Sequence, residues 1–333
     1  MSVSVRVLFL LAGDIKRASS RYRVIQYLPY FKQIVPDVEW SARPSAALIQ
    51  RARQVDLVFV QKGLLYPDFL KDIRMAGPRL VYDFDDSIFA DHDFALKVNE
   101  KSYEYRRFQA SLQQYHLILA GNNYLGSIAG GFHPRVKIVP TTVDVLTYPV
   151  KKKVVPAGKI TIGWIGHSSN QAYLKLLIDP LKRLRSVSAN WSFRIISDLP
   201  CASPGLPAEF RRWSLDYLQE LQQIDIGVMP LLDNVAGKGK CACKALQYMA
   251  AGIPAVVSPV GLNREVIKEG VTGFFARDAK EWYVKLMRLS INSSLRSKTG
   301  EAGRIFVHSH YAAHTWAERL EKILVEEAGL RSS

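Results

Sequence analysis

Cysteine is scarce. Three thiols in 333 residues cannot build a disulfide framework, and no second pair stands at zinc-ligand spacing beside Cys241 and Cys243. Long apolar runs are also missing, since nothing approaches the ~20 residues that a spanning helix needs. The run at 7–12 is short, preceded by Arg6 and closed by Gly13-Asp14. Without a small-residue cleavage site it reads as an opening β-strand rather than a leader. Short-period repeats and low-complexity tracts are absent. Acidic residues are in deficit, 30 against 45 Lys plus Arg, for a net charge of +15. The excess is spread out, with 19 basic against 14 acidic residues up to position 150 and 26 against 16 beyond it. Such a field favours nucleic acid, an anionic membrane surface or phosphorylated substrates. The cations are scattered and form no recognised nucleic-acid motif, so nucleic acid is not expected as a partner. What is present is an ordinary globular composition, 48% hydrophobic and 23% charged, in a chain long enough for roughly two domains. A reducing, cytoplasmic setting is expected.

Short apolar, β-branched runs alternate with longer helical patterns. Strands are expected at 5–11, 57–61, 80–84 and 117–120, then at 160–165, 191–196, 226–229 and 254–258. Buried runs bounded by Gly, Asp or Pro, with helices between, indicate parallel sheets built from βαβ units. Residues 140–159 carry Pro149, Lys151-Lys152-Lys153, Pro156 and Gly158 without periodicity, as a linker would. The expected architecture is α/β, two Rossmann-like doubly wound domains facing a cleft. Their bounds are 1–145 and 146–310, and a helical end at 311–333 returns to the first domain. Open parallel sheets bind ligands beyond the carboxyl ends of their strands.

The most informative stretch is 237–254, GKGKCACKALQYMAAGIP. Gly252 and Pro254 stop a helix expected to begin near Lys240. At 100° per residue, Lys240, Lys244, Gln247, Tyr248 and Ala251 share one face, opposite Ala242, Ala245, Leu246, Met249 and Ala250. Lys238 and Gly239 precede it in a glycine-rich approach. Backbone N–H groups and a helix N-terminus beside two lysines suit a diphosphate. The alternative is a solvated basic face. Next, Gly261, Leu262 and Asn263 form a loop after a strand and open a short helix, lining a ligand or only making the turn.

The run KCACKALQYMAAGIPAVVSPVGLNREVIKEGVTGFF, 240–275, resembles the donor-site region of retaining GT-B glycosyltransferases of glycosyltransferase family 4. ASSRYRVIQYLPY, LVYDFDDSIF, GNNYLGSIAGGF with KIVPTTVD, and ITIGWIGHSSN agree with it in order. The resemblance implies transfer of a hexose-type sugar from a nucleoside-diphosphate sugar with retained anomeric configuration. It implies no metal and no cofactor beyond that co-substrate. The family usually places two glutamates where this chain has Gly239 and Gln247. Gln247 can still hydrogen-bond a ribose as a neutral amide. Where the family often has a basic pair, Gly166, His167 and Ser168 stand, so Lys240 and Lys244 are expected to supply the charge. Glu265 matches a commonly acidic position, contacting the donor or stabilising its helix start.

Near Asp85 many relatives carry a histidine proposed to contact sugar or acceptor; here Asp85 is the candidate catalytic residue. Asp83, Asp85 and Asp86 admit other readings: a divalent-cation pair, the nucleophile and acid/base of a haloacid-dehalogenase-like phosphatase, or a structural helix cap. In the first βα connection Gly13, Ser20 and Arg21 are candidates for an acceptor or phosphate loop. Arg21 and Arg23, two apart, cannot share a helix face, and Arg21 is the one expected to face the cleft. The expected acceptor is a glycan or lipid-linked hydroxyl in envelope polysaccharide or glycolipid synthesis. The segment 174–185 mixes leucines with cations as an interfacial helix does, which would attach the protein peripherally to an anionic membrane; the alternative is a core-packed helix. A catalytically silent sugar-nucleotide binder or scaffold is the competing function, because both usual glutamates are missing.

Overall fold

The computed structural model describes residues 4–92, 94–150, 159–201, 205 and 208–329. They divide into two units, one of 4–142, 233–241 and 313–329, the other of 143–232 and 242–312. The segment Asp233–Cys241, expected in the second domain, belongs to the first unit. The chain returns to the first unit at Ala313.

In the first unit six strands run parallel in the order β2-β1-β3-β4-β5-β6. They are β1 (Val5–Leu11), β2 (Ile34–Glu39), β3 (Leu57–Gln61), β4 (Arg79–Phe84), β5 (Leu117–Ala120) and β6 (Val136–Ile138). The central strands are largely apolar because helices cover both faces; every residue of β3 and β5 is buried. β2 and β6 are edges with mostly exposed or half-buried side chains, and β2 carries Pro36, which an edge tolerates. One face of the sheet is closed by the helix Ala313–Glu327, whose Ala317, Leu320 and Leu324 join Val7, Phe9 and Leu57 in a single core. That helix is also pinned by charge. Glu321 Oε1 accepts the N–H groups of Lys32, Gln33 and Ile34 at 2.7, 2.6 and 3.2 Å. Glu327 takes Arg79 and Arg135, each at 2.6 Å.

The second unit repeats the plan with the order β12-β11-β10-β7-β8-β9, again all parallel. Its strands are β7 (Ile160–Ile165), β8 (Trp191–Ser197), β9 (Ala208–Arg212), β10 (Ile226–Met229), β11 (Ala255–Val257) and β12 (Gly273–Phe275). The segment 174–185 is not an interfacial helix. Leu174, Leu177, Leu181 and Leu184 are fully buried beside Trp164, Phe193 and Trp282, while Lys175, Asp179, Lys182, Arg183 and Arg185 meet water. A 3-10 turn (Ser168–Leu177) and a helix (Ile178–Val187) divide the segment between them. Of the expected linker, 151–158 with its lysine run lies outside the described residues. Before it, Val143 bridges Ala312, and the buried Tyr148 hydroxyl meets that of Tyr217 at 2.9 Å.

Candidate functional site

Each sheet reverses its strand order once, between β1 and β3 in the first unit and between β7 and β10 in the second. A crevice opens at such a point because the two connections leave in opposite directions. In the second unit β10 pairs with β7 only at Ile226–Ile162 and Gly227–Gly163. Beyond these pairs the Tyr248 hydroxyl stands between the strands, accepting from Ile165 N at 3.0 Å and donating to Val228 O at 3.3 Å. The helix Cys243–Ala250 that carries it begins after Ala242, a left-handed residue at φ 55°, and its first turn has no acid and no side-chain cap. Lys244 projects from that turn, half-buried, with its ammonium 5.5 Å from the Trp164 ring centroid. Gly166 makes this possible. A Cβ there would stand 2.6 Å from Lys244 Cε and 2.7 Å from the Trp164 ring.

The left-handed Ala242 corrects the expected helix start. Lys240 lies outside the helix and in the first unit, so it shares no helical face with Lys244. Gln247 and Tyr248 are buried, not displayed. Gln247 Nε2 donates to Cys243 Sγ at 3.2 Å, while its Oε1 is buried without a hydrogen-bond partner. Beside the carboxyl end of β7, His167 caps the turn that follows, its Nδ1 accepting from Ser169 N at 3.2 Å, and its Nε2 lies 3.3 Å from Asp198. Burial works against the charge of Asp198, yet the Ser168 N–H and hydroxyl, at 2.7 and 2.9 Å, hold its pKa below the usual carboxylate range. After β11 comes the turn at Gly261 and Leu262. Asn263 is fully buried, giving Nδ2 to Ser258 O at 2.9 Å and leaving Oδ1 without a hydrogen-bond partner. Glu265 is exposed on that short helix.

In the first unit the three acids after β4 have separate fates. Both oxygens of Asp83 are taken by the buried Arg23 guanidinium, Nε at 3.0 Å and NH2 closer. Burial works against the Arg23 charge, but Asp83 prevails and raises its pKa. Asp83 is therefore structural, which removes both the phosphatase nucleophile and the paired-aspartate cation reading. Arg23 is accordingly the inward arginine, whereas Arg21 braces its own loop through the carbonyls of Ile15 and Lys16 at 2.8 and 2.6 Å. In the same loop the buried Ser20 hydroxyl donates to Gly13 O at 3.0 Å.

Asp86 receives Lys62 Nζ at 3.2 Å and Lys240 Nζ at 3.0 Å; although burial pushes its pKa up, the two ammonium groups bring it far down. Asp85 keeps Oδ1 3.5 Å from Lys62 Nζ, buried and without a hydrogen bond. Lys62 holds this position in a left-handed conformation, φ 59°. Behind it, Asn122 Nδ2 donates to the carbonyls of Lys238 and Lys240 at 3.0 and 3.3 Å. A Cβ on Gly239 would stand 2.1 Å from Ser87 Oγ. The space beside Gly239 is thus filled by a neighbour. Lys238 pairs loosely with Asp233 at 3.7 Å. Lys62 and Asp198 escaped the sequence reading, although both follow the carboxyl end of a strand.

Residues 159–292 match the family model for glycosyl transferases group 1. No curated protein matches the chain. Among solved structures, Anabaena HepE in complex with UDP and glucose aligns with a TM-score of 0.74 at 14% identity, over 96% of this chain and 99% of that one. Sucrose-phosphate synthase from Thermosynechococcus elongatus aligns with a TM-score of 0.72 at 11% identity, over 97% and 98%. A glycosyltransferase from Rickettsia africae gives 0.70 at 12%, over 97% and 98%. With two doubly wound parallel sheets in hand, these matches bear out the GT-B fold, and the family model bears out a likeness to glycosyl transferases group 1 over 159–292.

Proposed function

We propose that the protein transfers a hexose from a nucleoside-diphosphate sugar to a hydroxyl of a glycan or lipid-linked acceptor, with retention and without metal. The observation that carries this reading is Lys244, seated over Gly166 at the strand-order reversal of the second sheet, on the first turn of an uncapped helix. A cation and aligned N–H groups there stabilise the charge that builds on a departing diphosphate. Gln247 Oε1 and Asn263 Oδ1, both buried acceptors without partners, suit hydroxyl or amide donors of the nucleoside. The bond from the sugar C1 to the β-phosphate oxygen breaks as the acceptor oxygen forms its bond on the same face. The acceptor proton passes to that phosphate oxygen. Asp85, which follows β4 in the first unit, is the candidate carboxylate on the acceptor side. HepE has been solved with UDP-glucose, so UDP is the first nucleotide to test.

Thermal shifts against UDP-, GDP-, ADP- and dTDP-sugars, followed by turnover of the best binder, test the proposal. Lys244→Ala is expected to weaken donor binding by roughly 1.5–3 kcal/mol, the value of a charge-assisted contact, with the fold intact. Unchanged donor affinity in that variant would refute the assignment. Binding without transfer or hydrolysis would instead favour the silent binder, a reading supported by the occupied space at Gly239.

A further inference from the structure

A second cavity, of 380 Å³, lies wholly within the first unit at its own strand-order reversal. It is bounded by Ala12 after β1, Lys62 after β3 and Ile88 after β4, and by Arg107 from the helix Tyr103–Leu112. Among the described residues three cations line it, Arg17, Lys62 and Arg107, and no carboxylate does. Lys62 is committed to Asp85 and Asp86. The arginines are not neutralised in this way. Among the described residues Arg17 is held by Ala12 O at 3.0 Å, and Arg107 by Leu64 O and by stacking over Tyr66 at 4.9 Å. Neither has an acidic partner among the described residues, and Arg107 Nε is buried without a hydrogen-bond partner. Two guanidinium groups fixed by backbone carbonyls in a concave site leave their remaining donors for a planar or tetrahedral oxyanion. Lys62 connects this cavity with Asp85, so an anion held here stands one side chain away from the candidate catalytic carboxylate.

We propose that this cavity binds an oxyanion, phosphate or carboxylate, carried by the acceptor sugar, so that the acceptor is an anionic saccharide. The acceptor role rests on the transfer reading above; the binding itself does not. The test is calorimetric titration of glucose 1-phosphate, glucuronate, glucose and inorganic phosphate into the UDP-saturated protein, its Arg17→Gln variant and its Arg107→Gln variant. UDP affinity and thermal stability are recorded for each protein. The expected result is binding of glucose 1-phosphate or glucuronate, whichever oxyanion is the right one, at least tenfold tighter than glucose or phosphate alone. Each arginine variant should weaken it by roughly tenfold or more at unchanged UDP affinity. Arg17 is exposed and its replacement leaves the core alone, so a folding defect in Arg107→Gln does not remove the test. Equal binding of glucose, inorganic phosphate binding as tightly as the sugar anions, no binding by either sugar anion, or indifference to both substitutions would each overturn the proposal. Loss of UDP binding in all three proteins would sink the donor reading and leave the anion result to stand alone.

Discussion

Replacing Tyr248 by phenylalanine removes one oxygen atom from the middle of the second unit. In the native structure that oxygen serves both strands at the point where β7 and β10 stop pairing, taking Ile165 N–H and giving its proton to Val228 O. The side chain is fully buried, so water does not replace it. Phenylalanine leaves the Ile165 N–H without its partner, at a cost of about 1–3 kcal/mol, with little added from the longer bond to Val228. For a unit of this size, about 2 kcal/mol corresponds to roughly 4–8 °C in Tm. The ring itself remains, so no large cavity adds to the loss. Thermal unfolding followed by circular dichroism measures it, and titration of the best-binding nucleotide measures the effect on the crevice, where affinity should also drop. A Tm within about 1 °C of wild type would show that the hydroxyl does not hold the strand ends, and the account of the crevice would fall.

Gly239→Ala should destabilise the first unit by roughly 1–3 kcal/mol through overpacking, because its methyl meets Ser87 Oγ and, at 2.8 Å, Ser87 N; an unchanged denaturation midpoint would refute this. His116 accepts Leu80 N–H at 2.9 Å, and its pKa is pushed down to about 4, by burial first and then by Arg79 and Arg74. The folded state therefore binds fewer protons than the unfolded one. This contribution is complete above about pH 6.5 and is lost as pH falls towards 4. His116→Asn, which retains an acceptor, should flatten that limb of the Tm–pH curve, and an identical curve would assign the limb elsewhere. Transfer is expected to survive EDTA; its loss on chelation with recovery in manganese would contradict the proposed mechanism.

The interior of both sheets was legible because buried parallel strands announce themselves as apolar runs. The runs expected at 5–11, 57–61, 117–120, 160–165 and 226–229 coincide with β1, β3, β5, β7 and β10. The edges were not legible. β2 and β9 carry charged, half-exposed residues that no periodicity separates from loop. At the crevice of the second sheet, Lys244 could be picked out by its place in the 240–275 run. The break before it could not, because an alanine in the left-handed region leaves no mark on a sequence. The helical wheel failed for Tyr248 because it assumes one wet face, whereas Ala245–Ala250 are all buried. Asp83 meets Arg23 across 60 positions, a distance over which local pattern carries no information.

Glu321 and the N–H of Lys32 that it accepts are 289 positions apart in the chain. On a ribosome adding ~5–20 residues per second, the first sheet emerges many seconds before the helix that closes one of its faces. During that interval the side of β1 and β3 that will receive Leu320 and Leu324 has only part of its native cover, from Val24 and Tyr27. The first unit to be synthesised is therefore the last to be completed. Released chains truncated before residue 313 should retain protease sensitivity in β1 to β3 while the second unit already resists digestion.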